Sequence, residues 1–216
     1  MDCAIQQVSE DTVKGFLHTP AAPTGDGVVL AHGAGSDAKS RLLVVVAEAL
    51  CDEGYFVLRY DLPFRQNRPH GPPMPGHGAR DRAGLQAAAA FVRERASGRM
   101  ILGGHSYGGR QSSMLAAEQP EVCDALLLLS YPLHPPRKPE QLRTQHLPDV
   151  RTPALFVHGT RDPFGLPDEM EQARSLLQGP AVLSQVEGAG HDLASGKFDV
   201  RGLLVVPLFR LLGEGS

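Results

Sequence analysis

From residue 27 onward, short apolar runs alternate with stretches whose apolar residues recur at helical spacing. Residues 27–32 (GVVLAH) form a β-branched-rich run, and residues 37–52 follow with Leu42, Leu43, Val46, Ala47 and Leu50 on one helical face. The pairing repeats. A strand over 55–62 precedes an alanine-rich amphipathic helix over 79–96, and a strand over 99–102 precedes a helix over 109–119 that stops before Pro120. Residues 125–130 (ALLLLS) are apolar enough for a central strand buried on both faces. Strands over 154–158 and 181–186 flank a helix pattern around 169–177, and a last helix over 197–212 is expected to kink at Pro207. The first twenty residues read as one or two antiparallel edge strands. Alternation of this kind predicts an α/β fold, a largely parallel sheet covered by helices on both faces.

Two segments interrupt the pattern. Residues 63–78 (PFRQNRPHGPPMPGHG) hold five prolines and three glycines, so a loop is expected there rather than a helix or an inner strand. It is either a surface connection or, because it follows the carboxyl end of a strand, where open α/β sheets bind ligands, a wall of the pocket. In the second case Arg65 and Arg68 are candidates to meet an acidic substrate. Residues 131–150, also proline-rich, are too short for a cap domain and predict a small lid at most. There are no internal repeats.

A chain of 216 residues, 42% hydrophobic, supports one core, so residues 1–216 are read as a single domain. With 21 basic and 24 acidic residues interspersed and a net charge of -3, nucleic acid and anionic membranes are not expected partners. The densest apolar run, residues 202–212, is broken by Pro207 and Arg210 and falls short of the roughly 18 residues a membrane span needs. No basic start and apolar core of a secretory signal opens the sequence. Cys3, Cys51 and Cys123 lie far apart, without the spacing of a zinc site or a dithiol pair, which predicts reduced thiols and a cytoplasmic location. Oligomeric state is left open.

Candidate chemistry centres on Gly104-His105-Ser106-Tyr107-Gly108, where an apolar strand meets a helix. Composition alone yields roughly 0.15 matches to G-x-S-x-G by chance, so the strand before it and the helix after it carry the claim. On such an elbow the serine hydroxyl stands clear of the sheet. To attack, it needs a histidine to take its proton and a carboxylate to fix that histidine. In this topology the order runs serine, acid, histidine, with each at the carboxyl end of a strand. Asp124 precedes its strand and Asp149 precedes the next, whereas Asp162 follows 154–158 in the turn at 159–163; Asp168 stands in reserve. Of nine histidines only His191 follows Asp162. Asp192 beside it is expected to cap the last helix, and His105 and His158 to be satisfied structural histidines. Two backbone donors for an oxyanion are expected from Tyr107 and from Ala34, within the turn His32-Gly33-Ala34-Gly35. No cofactor or metal is called for, and the expected partner is a small-molecule substrate.

The ordered set of residues 32–35, 104–108, Asp162 and His191 resembles the α/β-hydrolase superfamily, from about residue 27 to the end. Residues 103–111 (GGHSYGGRQ), 130–134 (SYPLH) and 156–162 (FVHGTRD) are more narrowly similar to a small lidless branch related to dienelactone hydrolases and to hydrolase-like domains of chromatin-associated proteins. The resemblance implies a three-layer fold with an eight-stranded, mostly parallel sheet and a serine-esterase reaction. Dienelactone hydrolases carry cysteine as nucleophile where this chain has Ser106, so their substrate does not transfer. A domain of this kind that binds without turnover is the alternative reading.

Overall fold

The computed structural model describes residues 3–213. Eight strands form one sheet: β1 (Ala4–Glu10), β2 (Val13–Thr19), β3 (Gly27–Ala31), β4 (Phe56–Tyr60), β5 (Met100–His105), β6 (Ala125–Leu129), β7 (Ala154–Gly159) and β8 (Ala181–Val186). Their order across the sheet is β1-β2-β4-β3-β5-β6-β7-β8, with β1 and β2 antiparallel at one edge and every pair from β4 to β8 parallel. This is the α/β architecture that the alternation predicts, and the weak opening pattern is a hairpin on its edge.

Strand β6 is apolar at every position, and β7 is so as far as Val157, because both their faces are covered. Successive side chains of a strand point to opposite faces. In β6, Leu126 and Leu128 enter one core while Ala125, Leu127 and Leu129 enter the other; in β7, Ala154 and Phe156 divide from Leu155 and Val157 in the same way. The first core is closed by α2 (Pro63–Asn67), α3 (His77–Arg93), α4 (Tyr107–Glu118) and α5 (Pro167–Arg174), and the second by α1 (Arg41–Asp52) and α6 (Val206–Leu211).

Several expected boundaries move for identifiable reasons. Helix α1 starts at Arg41 rather than 37, because residues 37–40 form a turn in which Asp37 Oδ1 accepts from Lys39 N–H, its carbonyl accepts from Ser40 N–H, and Ala38 N–H is taken by Asp61. The expectation that residues 63–78 contain no helix is corrected: Pro63 opens α2 at the one helical position where a missing N–H costs nothing, and α3 begins at His77. Asp192 caps the short 3₁₀ turn Leu193–Gly196, accepting from Ala194 N–H, and not the last helix. Pro207 is accommodated in the first turn of α6, and the turn before it, Arg201–Val205, widens to a π-helix. Residues 131–150 add only the 3₁₀ turn Leu147–Asp149, the small lid expected.

The cysteine reading is also corrected. Cys3 and Cys51 form a disulfide that ties the start of β1 to α1, and only Cys123 is free. Separation along the chain concealed a pair that the sheet edge brings together. The bridge removes the reduced-thiol argument for a cytoplasmic location. Beside it, Arg59 Nε–H donates to His18 Nε2 at 2.8 Å, which leaves the His18 proton on Nδ1, facing Cys3 Sγ at 3.7 Å. Burial pushes the His18 pKa down to about 4, so the ring is neutral. Cys123 is buried and its thiol is pushed up to about 12. Among the described residues no helix is long and apolar enough to cross a membrane.

Candidate active site

Strand β5 runs into α4 through Ser106, whose φ of 52° and ψ of -113° lie outside the regions most side chains occupy. Its N–H still donates to Leu129 O at 2.8 Å, as though β5 continued, and its carbonyl accepts from Arg110 N–H at 2.9 Å, as though the helix had begun. One residue therefore belongs to both elements, and that is why the turn is sharp. The glycines around it are required by the neighbouring strand. A Cβ on Gly104, whose φ is 144°, would stand 2.0 Å from Ala31 O, and one on Gly108 would stand 2.5 Å from the same oxygen.

Ser106 Oγ–H donates to His191 Nε2 at 2.9 Å, and His191 Nδ1–H donates to Asp162 Oδ2 at 2.8 Å. A carboxylate only accepts, so this contact fixes the proton on Nδ1 and leaves Nε2 to receive one. Asp162 is fully buried; its second oxygen accepts Phe164 N–H at 2.9 Å. The three residues chosen from chain order are thus in one hydrogen-bonded line, supplied by the ends of β5 and β7 and the loop after β8.

The histidine is held by two further residues. Phe164 stacks on its ring, with centroids 4.1 Å apart and planes 28° from parallel, and His105 lies 5.0 Å away on another side. His105 Nε2–H donates to the His191 carbonyl at 2.7 Å. Burial outweighs that hydrogen bond and draws the His105 pKa down to about 4, so it is a neutral donor. His158 is likewise lowered by burial and donates from Nε2 to Gly165 O at 2.9 Å. His105 is bonded to the chain as expected; His158 is bonded at Nε2 only, its buried Nδ1 having no partner among the described residues.

A cleft of about 590 Å³ opens over Ser106 and is lined by the turn 33–36, by Tyr107, and by Phe164 and His191. Neither Ala34 N–H nor Tyr107 N–H donates to another described residue. Gly33 is needed for packing, since a Cβ there would come 2.9 Å from His105 Nδ1, whereas a Cβ on Gly35 meets nothing within 4 Å. His32 lies beneath the turn: it accepts Leu62 N–H at Nε2 and donates from Nδ1 to Gly33 O at 2.8 Å, and burial lowers its pKa to about 4.

No residue from 63–78 lines the cleft, so of the two readings of this segment the pocket wall is set aside. Arg65 is buried, and its five hydrogen bonds go to carbonyls: Ser36 and Ala34 on one side, Arg68, Pro69 and Gly71 on the other. It cannot meet a substrate; it clamps the turn that carries Ala34. Arg68 is exposed. Phe64 packs edge-on against Tyr107 with centroids 5.6 Å apart, and Tyr107 O–H donates to buried Asp81 at 2.7 Å, so the segment supports the elbow from behind.

Residues missed from sequence include Phe164, two positions after Asp162 on the same turn, and Arg110, one helical turn after Ser106, which lines the cleft with Arg143. Arg110 could have been found from that spacing; Arg143 carries no local signal. A second serine and histidine, Ser113 and His146, lie 2.8 Å apart. Ser113 is fully buried within α4, neither lines the cleft, and among the described residues no carboxylate bonds to His146.

Residues 25–201 match the model of a family described as an alpha/beta hydrolase domain. Solved structures agree over nearly the whole chain. A lidless a/b serine hydrolase from Xanthomonas campestris is 20% identical, with a TM-score of 0.76 over 100% of this chain and 97% of that one. A dienelactone hydrolase from Anabaena variabilis is 24% identical, with a TM-score of 0.71 over 97% and 96%. An alpha-beta serine hydrolase homologue from Coxiella burnetii is 19% identical, with a TM-score of 0.72 over 95% and 97%. At these identities the structures speak for the fold, and the family match, spanning most of the sequence, assigns the chain: it belongs to the alpha/beta hydrolases.

Proposed function

We propose that this hydrolase is a serine esterase-type enzyme that cleaves a small carboxylic ester, thioester or amide through an acyl-enzyme on Ser106. The observation that carries the reading is the unbroken line Asp162–His191–Ser106 at the floor of an open cleft. His191 Nε2 takes the Oγ proton as Oγ attacks the carbonyl carbon. The imidazolium so formed is balanced by Asp162 and hands its proton to the leaving group as the old acyl bond breaks. Water then repeats the sequence and releases the acid. Negative charge developing on the carbonyl oxygen is met by the Tyr107 and Ala34 amides, each unspent among the described residues. A lid limited to residues 131–150 favours short, soluble substrates over long lipid chains.

The test is labelling by an active-site fluorophosphonate, followed by turnover of esters of increasing acyl length. Wild type is expected to label and Ser106→Ala is not. A folded wild type that takes no label overturns the reading, and equal labelling of the variant moves the nucleophile elsewhere.

A further inference from the structure

Two arginines share the cleft with Ser106, and no acidic side chain among the described residues answers them. Arg110 stands one turn beyond Ser106 on α4, and Arg143 comes from the segment 131–150; both line the cleft. Of the other arginines, Arg82, Arg93, Arg95, Arg99, Arg174 and Arg201 lie against carboxylates, and the guanidinium of Arg65 is filled by carbonyls. Those without an ion pair, such as Arg41, Arg80 and Arg161, are exposed to water, whereas Arg110 and Arg143 are half-buried. Among the described residues neither Arg110 nor Arg143 makes an ion pair. Arg110 Nε is buried with no hydrogen-bond partner, and Arg110 otherwise faces the neutral Tyr131 hydroxyl. The Arg143 guanidinium meets Pro132 O, at 3.4 Å.

Nothing around the pair supplies the missing charge. Among the described residues no Asp or Glu lines the cleft. His146, packed behind, is pushed down to about 4 by burial and then by Arg110 and Arg82, so it adds no charge near neutral pH. Burial first, and then the neighbouring Arg110, hold Arg143 below its ordinary value, as expected of two cations sharing one space. Desolvating like charges without a counter-ion is costly, so such an arrangement is retained where a ligand brings the counter-ion. The protein as a whole carries a net charge of -3, so the site is a local feature and not part of a basic surface. A planar guanidinium offers paired N–H donors that match the two oxygens of a carboxylate.

Building on the serine-esterase reading, we propose that the cleft selects small esters that carry a free carboxylate, held by Arg110 and Arg143 while Ser106 attacks the ester carbonyl of the same molecule. The anion fixes the substrate at one end and the reacting carbonyl at the other, which converts binding into orientation.

The experiment compares matched substrates of equal length, with the carboxylate on the acyl side in monomethyl glutarate against methyl valerate and on the alcohol side in O-acetylglycolate against propyl acetate. At least one charged member is expected to exceed its neutral partner tenfold or more in kcat/KM. That ratio is expected to fall at least tenfold in both Arg110→Gln and Arg143→Gln, and to hold its wild-type value in Arg95→Gln. Glutarate is also expected to protect wild-type Ser106 from the fluorophosphonate, and to protect neither cleft variant. Neutral esters equal to or better than charged ones in both pairs overturn the proposal, as does stronger protection by inorganic phosphate than by glutarate. Labelling of Ser106 without any preference for charge sinks this inference alone, whereas absence of labelling sinks the esterase reading beneath it.

Discussion

At Ser106 a backbone that few side chains adopt is held because both its hydrogen-bonding groups are already used by the strand and the helix it joins. The hydroxyl is left as the group free to react, and the proton route beyond it depends on one tautomer of His191. Asp162→Asn keeps the shape but brings an amide to Nδ1, so kcat is expected to fall roughly 10³–10⁴-fold with the fold unchanged by circular dichroism. Arg65 acts at one remove, through the turn that offers Ala34 N–H. Arg65→Lys keeps the charge and loses most of the five donors' geometry. It is expected to lower kcat about tenfold while KM stays within twofold, a split that a general loss of folded enzyme does not produce.

At the scale of elements, the elbow and its neighbouring strand β3 set a packing limit. Gly104→Ala forces a methyl group onto Ala31 O at a positive φ, and the expected loss in urea unfolding is about 2–4 kcal/mol; Gly35→Ala, with open space around it, is expected to cost under about 0.5 kcal/mol. Equal losses at the two sites would remove the packing account. These elements also show what the sequence reveals. Strands β6 and β7 are legible because an element buried on both faces reads as a nearly continuous apolar run, and Asp162 and His191 are legible because chain order and strand ends leave few choices. Helix α2 is not, since proline opens a helix as readily as it ends one. Arg65 is misread because its partners are carbonyls, which every residue has, so composition gives no sign of them.

At the scale of the molecule, two features set stability and both involve groups far apart in sequence. His18, His32, His105 and His146 each have a pKa lowered to about 4, chiefly by burial. Unfolded, they take up protons below their ordinary value near 6.5, while folded they resist until about 4. The stability they contribute is therefore complete above about pH 6.5 and drains away as pH falls toward 4, at about 1.4 kcal/mol per pH unit for each group. Urea midpoints are expected to drop steeply between pH 7 and pH 5, and a flat profile would show these rings to be hydrated. The Cys3–Cys51 bridge, spanning 48 residues of sequence, is expected to contribute up to about 4 kcal/mol, read as a lower unfolding temperature in Cys3→Ser or under reductant. Chain spacing could not disclose it, because the pairing exists only once β1 lies along the sheet edge. The bridge also makes residues 3–51 a covalent ring, and Ala34 lies inside it. A protease that cuts the exposed stretch near Ala21 therefore separates nothing: the piece that carries Cys3 stays bound to Cys51, and both fragments migrate as one band until thiol is added.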